Sequence, residues 1–324
     1  MRNKIKEYYS EIPVQENGIA LIIVLWILTI LMVLALSFSY AARTEIYSTI
    51  AFRESIEEKF LAEAGIQRAI TELFYHQMYK DQTIELEGLD VWKTDNTPYD
   101  IQTGGGACTI RIMDEMGKVD INAGSEVVLK NLFVNSGVQP EQADIIVDSM
   151  MDWKDPDDLH RLNGAESDYY MSLPVPYKAK DANFDTLEEL LLVKGMSPEI
   201  LYGNNEKAGV IDFLTVNSRQ RRININAAPR EVLMAVPGIT PELADTIINL
   251  RQNSIIDSPQ MIALPPESLN YIITGEPTSA TFTVTSTGRS KNKKGGYTVR
   301  AVINITGQDN YRILSYKSPA TTNK

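Results

Sequence analysis

A run of 22 residues without a charged side chain, from Ile19 to Tyr40, constrains this chain more than any other feature. A helix of about 20 apolar residues crosses a hydrocarbon core of about 30 Å. A cleaved secretory signal has an apolar core of only about 7–15 residues and ends in small residues at its cleavage site. The sequence therefore predicts a membrane-spanning helix near the N-terminus.

The helical pattern continues beyond the apolar run. Apolar residues recur at roughly helical spacing, and no proline interrupts residues 19–79. This stripe consists of Ile46, Ile50, Ile56, Phe60, Ala64, Ile70 and Leu73. We expect one long helix over residues 19–79, about 90 Å in length. Lysine and arginine are balanced on the two sides of the apolar run, so their distribution gives no membrane orientation.

A sequence unit repeats in the middle of the chain. The copies are INAGSEVVL and INAAPREVL at 121–129 and 225–233, GVQPEQADII and GITPELADTI at 137–146 and 238–247, and a partial copy, GMSPEI, at 195–200. A glycine can end a helix in the left-handed conformation, while Ser197 and Thr240 are good N-caps before a proline at the first helical position. The repeats predict three helix–turn–helix hairpins in an inserted helical domain over residues 121–278.

Residues on both sides of this insertion alternate with the period of a β-strand. The alternating stretches are 107–121, predicted as two short strands, and 280–289, 297–305 and 311–317. The sequence thus predicts an α+β fold. The long helix packs on an antiparallel sheet whose first part lies in residues 80–120 and whose closing strands lie in residues 279–324. The large all-helical domain is inserted between those two parts.

An acidic stretch between residues 141 and 170 has nine acidic side chains and two basic ones. Carboxylates this close together repel each other unless a cation offsets their charge, and an oxygen-rich loop suits calcium. The candidate ligands are Asp152, Asp155, Asp157, Asp158, Glu166 and Asp168. Their spacing does not match an EF-hand, and a solvated acidic surface explains the same charges. The residues alone leave both interpretations open.

The sequence argues against an enzyme. The two histidines are His76, predicted on the long helix, and His160, in the acidic stretch, and both are expected at the surface rather than in an acid–base site. One cysteine, Cys108, excludes an internal disulfide framework and argues against a four-ligand zinc site. TGGGA at 103–107 lacks the Lys-Ser/Thr of a phosphate-binding loop. We predict a non-catalytic protein.

The N-terminal segment resembles the class 3 signal of type IV pilins and pseudopilins. Residues 1–18 form a short leader that ends in Gly18, and IALIIVLWIL then opens the long helix. The resemblance implies that a prepilin peptidase cleaves between Gly18 and Ile19 and that the new amine is methylated. Most such proteins carry glutamate at the fifth mature position, which here is Ile23. Among the type II secretion pseudopilins, the K-type subunit is the one that lacks this glutamate. An uncleaved membrane anchor is the alternative.

Two further segments, DWKDPDDLHRLNGAESDYY and ININAAPREVLMAVPGI, resemble the helical domain of the general secretion pathway protein K (GspK) family. Members of this family are minor pseudopilins of the type II secretion system. The resemblance implies a structural calcium ion (Ca²⁺) in the acidic stretch and I- and J-type minor pseudopilins as partners. It also implies a single-pass protein of the inner membrane, with its C-terminal domain in the periplasm. The absence of glutamate at Ile23 and the bulky insertion both favour a position at the tip of the pseudopilus.

The competing hypothesis is a membrane-anchored helix-hairpin-helix protein that binds DNA in a competence-like system. That module usually carries a second glycine two positions after the first, which leaves its backbone open to a phosphate. Here those positions are Gln139, Ser197 and Thr240, each with a side chain. The formal net charge of −11 also opposes binding to a polyanion. We therefore expect no nucleic-acid partner.

Overall fold

The long N-terminal helix and the antiparallel sheet are both present in the computed structural model. The structure describes residues 17–79, 92–204, 207–275, 279–291, 295–307 and 310–320, so most of the predicted leader and residues 80–91 lie outside the described residues. The α-helices are α1 (Asn17–Tyr79), α2 (Glu126–Asn135), α3 (Pro140–Lys154), α4 (Ser167–Met171), α5 (Pro198–Tyr202), α6 (Arg230–Ala235) and α7 (Pro241–Arg251). The strands are β1 (Asp95–Thr103), β2 (Gly106–Asp114), β3 (Val119–Asp120), β4 (Leu214–Thr215), β5 (Ile223–Asn224), β6 (Ile272–Ile273), β7 (Thr281–Ser290), β8 (Tyr297–Ile305) and β9 (Tyr311–Lys317). Short 3-10 helices lie at Glu115–Gly117, Leu187–Leu192, Val210–Phe213, Pro259–Ile262 and Pro266–Asn270.

The chain divides into two compact units between Ile56 and Glu57, so each unit contains part of α1. In the first unit, every side chain from Ile19 to Tyr40 is exposed. Within the part of the chain that the structure describes, α1 is the one helix long and apolar enough to cross a membrane. An uncharged helix surface of this length is suited to lipid or to other apolar helices, and it fits a single-pass membrane anchor.

In the second unit, the C-terminal part of α1 packs on a five-stranded antiparallel sheet of order β1-β2-β7-β8-β9. The buried helix residues are Ala62, Ile66, Ala69, Ile70 and Leu73, and those of β8 are Val299, Ala301, Ile303 and Ile305. The alternation in β8 is therefore confirmed. The predicted stripe lies on one continuous helix, as expected, and its last two positions are buried against the sheet, whereas Phe60 and Ala64 are exposed. The sheet packs against the helix face that contains Ala62 and Ala69, whose small side chains allow the helix to approach the strands closely.

The inserted domain leaves the sheet after β2 and returns at β7, and these two strands are direct neighbours in the sheet. It has a hydrophobic core of its own. The two strands and the turn predicted over residues 107–121 are present as β2, a 3-10 turn and the two-residue strand β3. The insertion is not all-helical as predicted, because β3 pairs in parallel with β4 and β5 pairs in parallel with β6. Such short parallel pairs leave no periodic signal in a sequence.

All three predicted hairpins are present in the insertion. Their turn glycines, Gly137, Gly195 and Gly238, have φ between 84° and 90°, the left-handed region expected for them. Ser197 and Thr240 cap α5 and α7, since each hydroxyl accepts the backbone N–H of the third helical residue. The repeated sequence therefore encodes the turns as well as the helices.

The asparagine shared by the repeats joins the start of a hairpin to the chain that follows it. Asn122 accepts the N–H of Phe184 at 2.9 Å and donates to its carbonyl at 3.0 Å. In the second copy, Asn226 accepts the N–H of Ile256 at 2.9 Å and donates to the carbonyls of Ile256 and Gly275 at 3.3 and 3.1 Å. The internal sequence repeat identifies this pair of asparagines but does not indicate their role.

Replacing this asparagine should destabilise the insertion. We expect Asn226→Ala to lower the free energy of unfolding by about 2–3 kcal/mol, because it leaves buried backbone groups without partners. The exposed Asn253→Ala is the matched control and should change it by less than about 0.5 kcal/mol. Urea denaturation of the purified chain measures both values, and equal values for the two variants would contradict the assigned role.

Candidate metal centre

The acidic loop, residues 155–166, connects α3 to α4 and is anchored by buried aromatic rings. Trp153, near the end of α3, lies 5.1 Å from Tyr170 and 6.1 Å from Tyr177 between ring centroids. Its indole also stacks on Phe184 at 6.4 Å. Aromatic pairs at these distances are favourable beyond the area that they bury. The two ends of the loop are therefore held together by the hydrophobic core.

Asp152, one of the predicted ligands, has a structural partner instead. It is fully buried and accepts the backbone N–H of Arg161 at 3.2 Å. Gly164 packs on the same carboxylate, because a Cβ there would lie 1.9 Å from Asp152 Oδ2. One turn earlier, Asp148 accepts the backbone N–H of Asn163 at 3.1 Å. These contacts wrap residues 161–164 around the end of α3.

The structure brings three of the six predicted ligands together. One carboxylate oxygen from each of Asp155, Asp157 and Glu166 lies within 4.8 Å of the other two. Glu166 is 1% exposed, and neither of its carboxylate oxygens has a hydrogen-bond partner among the described residues. The same holds for Oδ1 of Asp155. A buried carboxylate without a partner is costly, so this group has both the donors and the unmet charge of a cation site.

The electrostatics of this group agree with its geometry. Burial, together with the neighbouring charges of Asp152 and Asp155, raises the pKa of Glu166 to about 7. Burial also raises the pKa of Asp155, with a contribution from Asp157 and a smaller one from Asp181. Like charges at close range favour the neutral acid, whereas a bound cation favours the carboxylate.

Asp181 lies outside the predicted ligand set and was missed by sequence reasoning. Its backbone N–H donates to the carbonyl of Trp153 at 3.1 Å, which places it beside the start of the acidic loop. Its φ of 53° is in the left-handed region that aspartate tolerates. A KDAN segment after a proline-rich stretch was the available signal, and it indicates a turn rather than a ligand.

The remaining predicted ligands lie outside the three-carboxylate group. Asp158 is exposed, and Asp168 is exposed with its Oδ1 at 3.1 Å from His160 Nε2. His160, expected at the surface, is indeed half exposed there, while the side chain of His76 lies outside the described residues. The group formed by Asp155, Asp157 and Glu166 offers only oxygen. Such a donor set fits a hard cation such as calcium, which takes about six to eight oxygen ligands and completes its shell with carbonyls and water.

The raised pKa of Glu166 predicts how the metal-free protein responds to pH. The pKa of Glu166 is raised from 4.5 to about 7 in the folded state, so the folded state binds the proton more tightly than the unfolded state. Stability should therefore fall as pH rises from about 4.5 to 7, and above pH 7 the cost should reach about 3 kcal/mol. We expect Glu166→Gln to remove this slope, so that it exceeds the wild type in stability at pH 8 but not at pH 4.5. Urea denaturation in the presence of a chelator measures the free energy of unfolding of both proteins at both pH values. The same difference between variant and wild type at pH 4.5 and at pH 8 would contradict this prediction.

The predicted processing site lies at the other end of the chain. The Gly18–Ile19 bond falls in the first turn of α1, which begins at Asn17. Ile23, at the position where most pilin-like proteins carry glutamate, is exposed on the same helix. A continuous uncharged helix surface therefore follows this bond.

The hairpin turns pack against the rest of the insertion. The carbonyl of Gly195 accepts a hydrogen bond from Gln142 of α3. At the third hairpin, a Cβ on Gly238 would lie 2.9 Å from Oε1 of Glu267. A carboxylate at this distance would repel a phosphate approaching the turn. Both turns have structural partners.

Parts of this chain are similar to known proteins of type II secretion systems. Residues 112–202 match the family model of type II secretion system (T2SS) protein K, first domain. The chain is 34% identical over 73 residues to type II secretion system protein K of Pectobacterium carotovorum subsp. carotovorum, covering 22% of each chain. It is 28% identical over 195 residues to the Klebsiella pneumoniae protein of the same name, covering 56% of this chain and 59% of that one. The matches thus span less than two thirds of the length of these curated relatives.

A solved structure has a similar fold. The crystal structure of the GspK-GspI-GspJ complex from the type 2 secretion system of enterotoxigenic Escherichia coli contains a chain that matches with a TM-score of 0.58. The match covers 86% of this chain and 100% of that chain at 15% sequence identity. At that identity the likeness shows the fold: a long N-terminal helix on a sheet with a large inserted domain.

Proposed function

We propose that this chain acts as a minor pseudopilin, because residues 112–202 match the family model of type II secretion system protein K. The observation that carries the proposal is α1, whose uncharged, exposed first part continues into a helix packed on a sheet. Such a helix can lie in a bilayer as a monomer and pack among identical apolar helices in an assembly. The protein would move from the inner membrane into a periplasmic pseudopilus.

The position that we propose in the pseudopilus is its tip. Ile23 supplies no charge to neutralise the N-terminal amine of a subunit above it, and an unpaired charge in an apolar helix bundle is costly. The insertion between β2 and β7, which are adjacent in the sheet, adds a bulky domain that would obstruct further stacking. The two features are independent, and both favour a subunit with no neighbour above it.

The partners that we propose follow from this position. The I- and J-type minor pseudopilins would pack against α1, and a prepilin peptidase would cleave the chain between Gly18 and Ile19. The domain after α1 would lie in the periplasm, with the protein held in the inner membrane by a single span. Support for the partners comes from the similar chain in the GspK-GspI-GspJ complex.

We infer a structural and non-catalytic role for the insertion. A calcium ion held by Asp155, Asp157 and Glu166 would link the two ends of the acidic loop, because these residues come from its start and its end. The ion would offset the charge that burial makes costly at Glu166. The packed hairpin turns and the carboxylate beside Gly238 argue against a nucleic-acid partner.

The experiment that tests the pseudopilin proposal is the intact mass of the chain extracted from its native membrane. We expect a mass equal to residues 19–324 plus one methyl group. A mass that includes residues 1–18 would leave an ordinary membrane anchor and would overturn the proposal. Gly18→Ala is not a sufficient control because it retains a small residue, so Gly18→Leu should be measured beside the wild type and should stay uncleaved.

A further inference from the structure

The acidic loop carries two leucines that point into solvent. Leu162 is 95% exposed and Leu159 is 76% exposed, among the highest values for apolar side chains in the second unit. Single exposed leucines are ordinary on protein surfaces, but two at this degree of exposure, three residues apart on one loop, form a candidate contact surface.

The backbone beside Leu162 is held in place on both sides. The amides of Arg161 and Asn163 donate to carboxylates near the end of α3. The ammonium group of Lys194 donates to the carbonyl of Asn163 at 3.2 Å and to the next carbonyl at 2.9 Å. These hydrogen bonds fix the backbone on both sides of Leu162 and so set the direction of its Cα–Cβ bond. The fold thus presents this leucine outward.

A third exposed apolar side chain lies in α4, the helix that directly follows the acidic loop. His160, between them in sequence, contacts Asp168 of α4 at 3.1 Å. Met171 lies three residues after Asp168 and therefore on the same face of that helix. It is 51% exposed. We call Leu159, Leu162 and Met171 the leucine patch.

The charges around the leucine patch restrict its partner. Asp158 and Asp168, which lie outside the three-carboxylate group, are exposed in the same loop and in α4, and the stretch 141–170 carries nine acidic and two basic side chains. Potentials across specific interfaces are complementary, so a partner should present positive charge here. An apolar patch within an acidic rim fits an apolar pocket with a basic rim.

We propose that the leucine patch docks a protein whose surface has an apolar pocket bordered by lysine and arginine. The docking proposal goes beyond the proposed function. It rests on that function only because the partner is sought in membranes that contain the secretion machinery. The contact is separate from α1, which serves the pseudopilus. Burying Leu159 and Leu162 in such a pocket should strengthen binding by about tenfold or more for each leucine.

Site-specific crosslinking in cells that contain the whole secretion system identifies the partner. The full chain would carry p-benzoylphenylalanine at one position, as Leu159→pBpa, Leu162→pBpa or, as the matched control, Leu269→pBpa on another exposed part of the insertion. We expect positions 159 and 162 to crosslink to the same protein, through a peptide that contains apolar residues with lysine or arginine. Crosslinks to lipid, to a second copy of this chain, or at no more than the yield of position 269 would overturn the proposal.

A secretion assay then measures what the contact does. In a strain lacking the native gene, the double variant Leu159→Ser with Leu162→Ser should lower secretion at least tenfold relative to wild type. Leu162→Met, which stays apolar, and Leu269→Ser should retain it. The melting temperatures of all variants should agree, since the changed side chains are exposed. Unchanged secretion by the double variant would overturn the proposal. A wild-type chain that fails to restore secretion would instead count against the pseudopilin function, and the crosslinks would still decide the docking patch.

Discussion

Calcium should raise the melting temperature of the purified chain by about 5–10 °C, and Glu166→Gln should remove most of that rise. A ligand at about a hundred times its Kd stabilises the folded state by about 2.7 kcal/mol, and each kcal/mol shifts the melting temperature of a chain of this size by about 2–4 °C. Glu166 is the buried member of the three-carboxylate group, and its oxygens have no other partner among the described residues. Its loss should therefore have the largest effect on the ion.

Thermal unfolding in detergent, with calcium or with a chelator, measures the effect. Asp168→Asn is the matched control, because it removes a carboxylate from the same region but outside the group that contains Glu166. We expect this variant to keep the calcium-dependent rise. If the wild type melts at the same temperature with and without calcium, the acidic loop is a solvated surface and the proposed ion is absent.

The fold was largely predictable because its signals are local and periodic. The uncharged run, the two-residue period of β8 and the turn glycines of the hairpins each reflect a geometry that repeats along the chain. The resemblance to the GspK family is supported by the family-model match over residues 112–202, and the solved structure of similar fold supports the fold class. The stripe predicted the helix but not its buried face: Phe60 belongs to the stripe and is exposed, because helix spacing alone does not say which face meets the sheet.

The details of the candidate site were less predictable, because they depend on contacts between distant residues. The acidic composition indicated a cation, yet Asp152 looked equivalent to Asp155 in the sequence. Only the approach of Arg161 and Gly164 distinguishes it, since these residues occupy its carboxylate. Asp181 contributes to the raised pKa of Asp155, because a turn places it beside Trp153 at the start of the acidic loop. The positions of acidic residues in the sequence do not reveal such contacts between distant parts of the chain.

Glu115 should matter for stability more than any surface charge, because it connects the sheet to the insertion. It is 2% exposed, and its carboxylate accepts hydrogen bonds from Thr215 of β4 and from Thr283 of β7, the latter at 2.7 Å. Lys118 donates to it at 2.6 Å. Burial opposes ionisation, but the nearby ammonium group and these hydrogen bonds lower the pKa of Glu115 overall. We expect Glu115→Ala to lower the free energy of unfolding by about 3–5 kcal/mol, because it leaves the partly buried ammonium group of Lys118 without its counter-charge.

A second carboxylate that joins the same two parts of the chain provides the control. Glu188 of the insertion pairs with Lys317 of β9 at 2.8 Å, and both side chains are largely exposed. An exposed pair contributes about 0–1 kcal/mol, so Glu188→Ala should change the free energy of unfolding by no more than that. Urea denaturation of the two variants separates a buried connection from a surface one. If both variants lost the same small amount, the link between sheet and insertion would be distributed over their surface contacts rather than concentrated at Glu115.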